Sequence, residues 1–519
     1  MTLIHRRDSV SALGLSILGS AMPGRLLANP RFAKSPFTLG VAAGDPLPNG
    51  FVLWTRLAPE PLAENGGMLP LDVSVRWEVS EDPHFWQIVQ KGQTRAVAAL
   101  AHSVHVEVDG LRPHRPHWYR FIVEGAGESP VGMARTAPAP DVAIDRLRLA
   151  VAGCQNFEVG YFSAFAHIAA EPDLDAVFHY GDYIYEFGPR PGVGPRLHQG
   201  DETQSLADYR QRYAQYKTDP DLQAAHAAAA FIMSFDDHEI DDNWGGIFDK
   251  DGSTPADFAK RRSAAMQAWY EHMPVRRSQV PEFGGRMYRQ LDYGQLLRMH
   301  VLDTRSHRSD QLCERPGVPR IETIDCLPVD RPDRSLLGFE QEKWLDSGLG
   351  NQRRWNLIAQ QVMMMPHDAR KDGGTRPVVS ADNWNGYSHS RQRLIDSIRK
   401  HDLKNVVVAS GDVHQHFVGS VPVDDERPDG PSIASEFLAT SISSGGTGGA
   451  RHPDEHNVLD NNPHMKLINN QRGYQVYNIT PDRWTTEVKV MDQVDRPGGR
   501  VSTLARFAVD PARPGVEHW

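Results

Sequence analysis

The stretch Val177-Phe-His-Tyr-Gly-Asp-Tyr-Ile-Tyr-Glu186 constrains the fold more than any other part of the chain. Its apolar first half predicts a short buried strand, and Gly181-Asp182 then opens a loop that carries Tyr185. In α/β folds the chemistry lies in the crevice beyond the carboxyl ends of the strands. Asp182 and Tyr185 are therefore candidate functional residues.

Three more polar clusters follow similar apolar runs. They are Gly153-Cys154-Gln155-Asn156, Asp236-Asp237-His238-Glu239 and Gly411-Asp412-Val413-His414. Each cluster is weak support alone, since an Asp-Asp-His-Glu run is more often a polar loop or a helix cap than a metal site. Four clusters of this kind in one chain predict four loops that converge on a single metal centre.

The side chains in these clusters favour more than one kind of metal. Carboxylate and amide oxygens suit Ca²⁺, Mg²⁺ or Mn²⁺, whereas thiolate, phenolate and imidazole suit iron or zinc. A mixed set therefore favours two or more metals that share bridging carboxylates. Closely spaced metals can stabilise both the attacking and the leaving oxygen of a phosphoryl displacement.

The spacing of predicted strands and helices divides the chain into two regions. Residues 37–136 hold about seven short alternating strands, the pattern of a small β-sandwich. Ala137-Pro-Ala-Pro140 predicts a stiff linker, and from Leu147 strands alternate with helices, which predicts a mixed sheet flanked by helices. The elements predicted there are strands at 147–152, 175–179, 296–302, 355–363 and 406–410, helices at 161–170, 206–217, 220–233, 254–273 and 390–402, a loop at 441–462, and three closing antiparallel strands at 474–479, 484–491 and 501–509.

The N-terminus has the pattern of an export signal. His5-Arg6-Arg7 precedes a modest apolar run from Val10 to Met22 and small residues that end at Ala28. This predicts a signal peptide over residues 1–28, and the adjacent arginines favour the twin-arginine route, with a Sec signal or an amphipathic start as alternatives. The run is shorter than the ~20 residues of a transmembrane helix, and no other stretch is long enough. We expect a periplasmic or secreted protein that does not span the membrane and has the twin-arginine export machinery as a partner.

The net charge bears on the class of partner, and the cysteines bear on disulfides and metal ligands. The formal net charge is −10, and the body of the chain has no run rich in Lys or Arg, so a stable nucleic-acid partner is not expected. Cys313 and Cys326 flank a loop-like stretch and could pair in an oxidising compartment. Cys154 is then an odd thiol, which fits either a metal ligand or an inert buried cysteine.

The order of the four clusters resembles that of the metallophosphoesterase superfamily: Asp-x-His, Gly-Asp, Gly-Asn-His-Asp/Glu, then Gly-His-x-His. Here Gly181-Asp182 is intact, and the other three blocks are replaced by the Cys154, Asp237 and Asp412 clusters given above. This set of departures resembles the PhoD-like alkaline phosphatase/phosphodiesterase family. Further motifs extend the resemblance over nearly the whole chain: Phe37-Thr-Leu-Gly-Val-Ala-Ala-Gly-Asp-Pro46, Val52-Leu-Trp-Thr-Arg56, Leu302-Asp-Thr-Arg305, Ala359-Gln-Gln-Val362 and Asp382-Asn-Trp-Asn-Gly-Tyr387.

The resemblance implies a fold and a metal centre. The fold would be α/β, a mixed-sheet α-β-β-α metallophosphoesterase sandwich at 147–519, preceded by an Ig/fibronectin-III-like β-sandwich domain at 37–136. The centre would hold one Fe³⁺ and Ca²⁺ ions, with Cys154 and Tyr185 as iron ligands and Asp182 as the bridge between iron and calcium. The other candidate metal ligands are Asn156, Asp237, Asn243, Asp412 and His414.

Several of these roles have alternatives. Asn156 matches a ligand position of the superfamily but could simply fix its loop. Asp242 stands where Asn is expected in relatives, so either Asp242 or Asn243 could reach metal. His238 matches the histidine that acts as general acid to the leaving oxygen or binds phosphate, the alternative being a structural role in a capping network. Arg305 could contact phosphate or could be a buried ion-pair residue.

The implied function is that of an exported, metal-dependent phosphoesterase. It would hydrolyse phosphate monoesters or diesters, in small molecules or polymers, by a metal-activated oxygen nucleophile. A phospholipase D-type phosphodiesterase of the same family is an alternative. A redox iron enzyme and a catalytically inactive surface-binding protein are alternatives from other classes.

Overall fold

A computed structural model gives the structure of residues 32–311, 331–350, 353–371, 373–375 and 377–519. The predicted signal peptide at 1–28 and the possible Cys313–Cys326 pair lie outside the described residues. Strands and helices are numbered in chain order below.

The largest sheet has ten strands. They are β1 Val41–Leu47, β2 Gly50–Arg56, β5 Ser103–Val108, β9 Leu147–Ala152, β10 Ala176–His179, β11 Ala230–Met233, β19 Gly473–Ile479, β20 Trp484–Met491, β21 Val501–Asp510 and β22 Arg513–His518. Their order is β22-β21-β20-β19-β9-β10-β11-β1-β2-β5. The central strands β9, β10, β11 and β1 run parallel, and β19 to β22 pair antiparallel, as predicted for the closing strands.

Two smaller sheets complete the β structure. The seven-stranded sheet consists of β12 Arg289–Tyr293, β13 Leu297–Val301, β14 Trp355–Ala359, β15 Val406–Ser410, β16 His416–Pro422, β17 Ser432–Leu438 and β18 Met465–Asn469. The five-stranded sheet consists of β3 Val73–Ser80, β4 Ile88–Ala96, β6 Pro116–Val123, β7 Gly127–Glu128 and β8 Gly132–Arg135. Within the seven-stranded sheet, β13, β14, β15 and β17 are parallel.

Helices cover the outer faces of the two large sheets. They are α1 Ser163–Ala169, α2 Leu206–Lys217, α3 Pro220–Ala228, α4 Pro255–His272, α5 Phe339–Leu349, α6 Ser388–Lys400 and α7 Glu455–Asn461. The two sheets meet through aromatic contacts such as Trp355 with Trp484 and Phe437 with Tyr477. Residues of α5 and α6 share a second apolar cluster with the far face of the seven-stranded sheet. The predicted α-β-β-α sandwich is confirmed.

Two local predictions are wrong, and the strand predicted at 355–363 ends early, at Ala359. The helix predicted at 220–233 ends at Ala228, and Ala230–Met233 is instead the central strand β11. All four residues of β11 are buried, so the strand lacks the alternation that separates a strand from a helix in sequence. The loop predicted at 441–462 contains the short helix α7.

The 37–136 region has two β layers around its own apolar core. One layer is the five-stranded sheet, whereas the other, made of β1, β2 and β5, continues into the ten-stranded sheet because β1 pairs with β11. The predicted division at the 137–140 linker therefore crosses a hydrogen-bonded sheet. In the described ranges, no helix is long and apolar enough to cross a bilayer.

Candidate metal centre

The strand registers bring the four polar loops together. In β9, β10 and β11, His179 is level with both Ala152 and Met233, so the three strands end at the same height. In the facing sheet, Ala359 is level with Ala409 near the end of β15. Loops that leave parallel strands at one height meet at a single edge. Cys154, Asp182, Asp237 and Asp412 therefore follow strand ends at the same edge of the sandwich.

The Tyr180 ring acts as a spacer between two of these loops. Its hydroxyl donates to the carbonyl oxygen of Thr440 at 2.8 Å. A Cβ atom at Gly153 or Gly411 would lie 2.4 Å or 2.2 Å from this ring. Both loops consequently need glycine for their close approach to Tyr180.

Thiol, phenol and imidazole groups form one half of the site. Ligand atoms of Cys154, Asp182 and His414 lie within 4.8 Å of one another. Tyr185 Oη donates to Asp182 Oδ2 at 2.8 Å and lies 2.9 Å from His414 Nε2. The two predicted iron ligands, Cys154 and Tyr185, thus share one pocket with the predicted bridging carboxylate.

Burial has the largest effect on the protonation of this half of the site. Burial, with the nearby Asp182 carboxylate, raises the pKa of the Cys154 thiol and of the Tyr185 phenol well above their usual values. Burial also lowers the pKa of His414 to about 3, which keeps its imidazole neutral, the form that binds metal. A highly charged metal ion can reverse the first effect, because it stabilises thiolate and phenolate directly.

Carboxylates form the other half of the site. Ligand atoms of Asp236, Asp237 and Asp412 lie within 4.8 Å of one another, as do those of Asp182, Asp237 and His238. Asp182 belongs to both halves, which is the position that a bridging ligand requires. Five of the predicted ligands have a left-handed backbone, a strain typical of functional sites: Cys154, Asp182, Asn243, Asp412 and His414.

Some oxygens of these carboxylates have no hydrogen bond to another protein group. Asp182 Oδ1, Asp236 Oδ2 and Asp237 Oδ1 are buried and have no hydrogen-bond partner among the described residues. Buried carboxylate oxygens without a hydrogen bond are costly unless a cation is near, and the Arg305 guanidinium is 3.6 Å from Asp237 Oδ1. These oxygens and the thiol–phenol–imidazole set therefore fit a mixed metal centre.

Arg305 is a buried ion-pair residue rather than an exposed phosphate contact. Its Nε donates to Asp236 Oδ1 at 2.5 Å, and its two terminal nitrogens donate to Asp382 at 2.8 Å and 3.0 Å. The side chain is fully buried. Asp237 and Asp412 lie farther away, at 3.6 Å and 3.7 Å. Of the two roles considered for Arg305, the contacts favour the structural one.

His238 is oriented by Glu186. His238 Nδ1 lies 2.7 Å from Glu186 Oε2, and Glu186 Oε1 accepts from the backbone N–H of Asp242 at 2.9 Å. Burial lowers the pKa of His238, but the Glu186 and Asp237 carboxylates outweigh it and raise the pKa well above its usual value. With Nδ1 held by Glu186, Nε2 is the nitrogen through which a proton can be exchanged.

The remaining candidate ligands, Asn156, Asp242 and Asn243, differ in their contacts. Asn156 Oδ1 accepts from the backbone N–H of Glu158 at 3.0 Å, which is the loop-fixing role considered above. Asp242 pairs with Lys250 at 2.8 Å, whereas the backbone N–H of Asn243 donates to Asp237 Oδ2 at 2.7 Å. The side-chain amide of Asn243 in turn donates to Asp242 Oδ1 at 2.7 Å, so both residues stay candidate ligands.

Two residues with clear roles in the site were missed by sequence reasoning. Glu239 accepts from the backbone N–H groups of Asp182, Tyr183 and Asp236 at 3.1, 2.7 and 2.9 Å, and so ties two ligand loops together. Ser444 Oγ lies 2.6 Å from Tyr185 Oη. Glu239 could have been found from its place in the Asp-Asp-His-Glu cluster, but nothing in the Ser- and Gly-rich run around Ser444 signals a role.

Comparisons with known proteins give the family of the chain. A family model described as "PhoD-like phosphatase" matches residues 149–488, and one described as "PhoD-like phosphatase, N-terminal domain" matches residues 21–138. Alkaline phosphatase D of Bacillus subtilis (strain 168) is 43% identical over 517 residues, covering 97% of this chain and 86% of that protein. A solved structure titled "Structure of PhoD" superposes with a TM-score of 0.89 at 43% identity, covering 94% of this chain and 93% of that one. The chain therefore belongs to the PhoD-like phosphatase family.

Proposed function

We propose that this phosphatase is an exported enzyme that hydrolyses phosphate monoesters or diesters at a centre of one Fe³⁺ and Ca²⁺ ions. The observation that carries the metal assignment is the pairing of two donor sets at one edge of the sandwich. One set is the thiol, phenol and imidazole of Cys154, Tyr185 and His414. The other is the carboxylate group, in which Asp182 Oδ1, Asp236 Oδ2 and Asp237 Oδ1 are buried without a hydrogen bond. Ferric iron suits the first set, and calcium suits the second.

The ligand proposal follows the two donor sets. Cys154, Tyr185 and His414 would hold the iron, and Asp182 would bridge to calcium. Asp237, Asn243 and Asp412 would complete the oxygen side, with Asn156 as a further candidate. The alternative of an inert Cys154 is less favoured, since an inert thiol has no need of two metal-ligating groups, Asp182 and His414, with atoms within 4.8 Å of it.

When bound, the metals would supply Lewis acidity that activates the attacking water and holds the phosphoryl oxygens as charge develops. The chain itself would supply proton transfer at the leaving group. As the bond between phosphorus and the leaving oxygen breaks, His238 would give that oxygen a proton. Glu186 would keep the imidazole in place by holding Nδ1. This assigns the general-acid role to His238 and an orienting role to Glu186.

Export is proposed from the first 28 residues. Replacing Arg6 and Arg7 by Lys should stop delivery through the twin-arginine route, because that route reads the arginine pair. The measurement is the cellular fraction in which the full-length protein accumulates. Unchanged delivery of the double variant would contradict the twin-arginine proposal and favour a Sec signal.

The experiment that tests the function combines elemental analysis with substrate assays. We expect iron and calcium in the purified protein, a visible absorption band from phenolate bound to Fe³⁺, and hydrolysis that calcium chelation removes. The panel contains p-nitrophenyl monoesters and diesters, a nucleic-acid diester and phosphatidylcholine, the last of which tests the phospholipase D-type alternative. Coloured protein that is inert to every ester would contradict the hydrolase, and active protein without iron would contradict the iron assignment.

Cys154→Ala gives a second arm of the same test. The variant should keep its fold but lose iron and activity, since Ala removes only the sulfur atom of a buried side chain and adds no clash. Circular dichroism measures the fold, and elemental analysis measures the iron. Full iron content in Cys154→Ala would contradict the ligand role.

A further inference from the structure

The hydroxyl of Ser444 lies against the phenol oxygen of Tyr185. The two oxygens are 2.6 Å apart, and Ser444 is 2% exposed. Tyr185 Oη also contacts Asp182 and His414, but both of these are proposed metal ligands. Ser444 is not a proposed ligand, so its contact with Tyr185 can persist when metal is bound.

Ser444 has a single hydroxyl hydrogen, and its surroundings decide where that hydrogen points. The backbone N–H of Asn156 donates to Ser444 Oγ at 3.2 Å, which uses the oxygen as an acceptor. The hydrogen can then go to Tyr185 Oη or to the carbonyl oxygen of Cys154 at 2.8 Å. Hydrogen bonds to an ionised acceptor are stronger than those to a neutral one. Once Tyr185 is a phenolate, the Ser444 hydrogen is therefore donated to Tyr185.

The backbone around Ser444 is held independently of this hydroxyl. The N–H groups of Ile442 and Ser444 donate to the carbonyl oxygens of Gly153 and Cys154 at 2.9 Å and 3.3 Å. Arg472 donates to Ser441 Oγ at 2.7 Å, which anchors the start of the same turn. Removal of the Ser444 hydroxyl should leave the loop in place.

We propose that Ser444 is a positioning residue that donates a hydrogen bond to the Tyr185 phenolate and thereby sets the Lewis acidity of the iron. This inference rests on the Fe³⁺ assignment under the proposed function. A hydrogen bond withdraws electron density from the phenolate oxygen, so Tyr185 becomes a weaker donor to the metal. Groups that contact a metal ligand in this way tune the metal itself.

The test compares the absorption spectra of Ser444→Ala and Ser443→Ala in the full-length, metal-loaded enzyme. Ser443 is the matched control, because its buried hydroxyl donates to the carbonyl oxygen of Asn156 at 2.8 Å instead of to Tyr185. Loss of the donor raises the energy of the phenolate electrons. We therefore expect the phenolate-to-iron band of Ser444→Ala to move to longer wavelength at unchanged iron content. Ser443→Ala should keep the wild-type band, and so should Ser444→Thr, which retains a hydroxyl.

The outcomes separate this inference from the assignment of iron. A Ser444→Ala band at the wild-type wavelength with full iron content overturns the inference and leaves the iron assignment intact. A wild-type protein without iron or without the band overturns both. Should Ser444→Ala lose iron, resonance Raman spectra of the wild type in H₂O and D₂O decide instead. We expect the phenolate C–O stretch of the wild type to shift in D₂O, and we expect the same shift in Ser443→Ala and in Ser444→Thr. The absence of any shift in the wild type overturns the inference.

Discussion

His238 can be tested at the residue scale by changing the leaving group of the substrate. A general acid matters most when the leaving oxygen is strongly basic. We expect His238→Ala to lower the turnover of alkyl esters by about 10²–10⁴-fold, and that of p-nitrophenyl esters much less. The control is His456→Ala, since His456 is exposed and pairs with Asp460 on the surface. Equal losses for both substrate types would contradict the general-acid role.

Arg305 makes a different prediction at the same scale, one about stability. Arg305→Met leaves Asp236 buried without its cation, whereas Asp382 keeps the buried Arg308 at 2.6 Å. Removal of one partner from a buried ion pair typically costs about 3–5 kcal/mol of the free energy of unfolding. Chemical denaturation of the variant measures this loss. Arg500→Met is the matched control, because Arg500 pairs with Asp492 on the surface and its loss should hardly change the midpoint. An equally small change in Arg305→Met would contradict the structural role.

At the scale of elements, the loops owe their positions to level strand ends and to glycines packed on Tyr180. Gly411→Ala would place a Cβ 2.2 Å from the Tyr180 ring, so either the ring or the Asp412 loop must move. We expect a loss of about 1–3 kcal/mol in stability, the usual cost of overpacking, together with lower metal content. Gly449→Ala is the control, since its Cβ would meet nothing nearer than 3.5 Å. Full metal content and an unchanged unfolding midpoint in Gly411→Ala would contradict this account of the loop.

Some of the strands and helices could be predicted from the sequence, and others could not. The strands β9 and β10 were predictable because short apolar runs end on Gly-Cys and Gly-Asp, and α4 was predictable because Thr254-Pro255 caps it. Strand β11 was not, since an alanine-rich helix runs into a wholly buried strand without a change of pattern. The role of Ser444 was also out of reach. Its partner Tyr185 is 259 residues away, and only the packing of the two sheets brings them together.

At the scale of the whole molecule, the N-terminal region is tied to the catalytic region by more than the 137–140 linker. Strand β1 pairs with β11, a strand whose loop carries Asp237 and His238. Trp54 donates to the carbonyl oxygen of Glu271, and Asp45 pairs with Arg289 at 2.7 Å. Separation of the two regions would remove the partners of these polar groups and expose the apolar surface around them.

A truncated chain of residues 141–519 tests this connection. Without β1, the central strand β11 becomes an exposed edge, and Arg289 loses the Asp45 carboxylate. We expect the truncated chain to aggregate or to unfold at a lower temperature than the full chain. The full chain should unfold in one transition, with tryptophan fluorescence and circular dichroism changing together. Coexpression of residues 32–140 should restore the truncated chain, because the missing strands and charges are then supplied in trans. Two separate transitions in the full chain, or a truncated chain as stable as the full one, would instead mean that residues 37–136 fold as an independent domain.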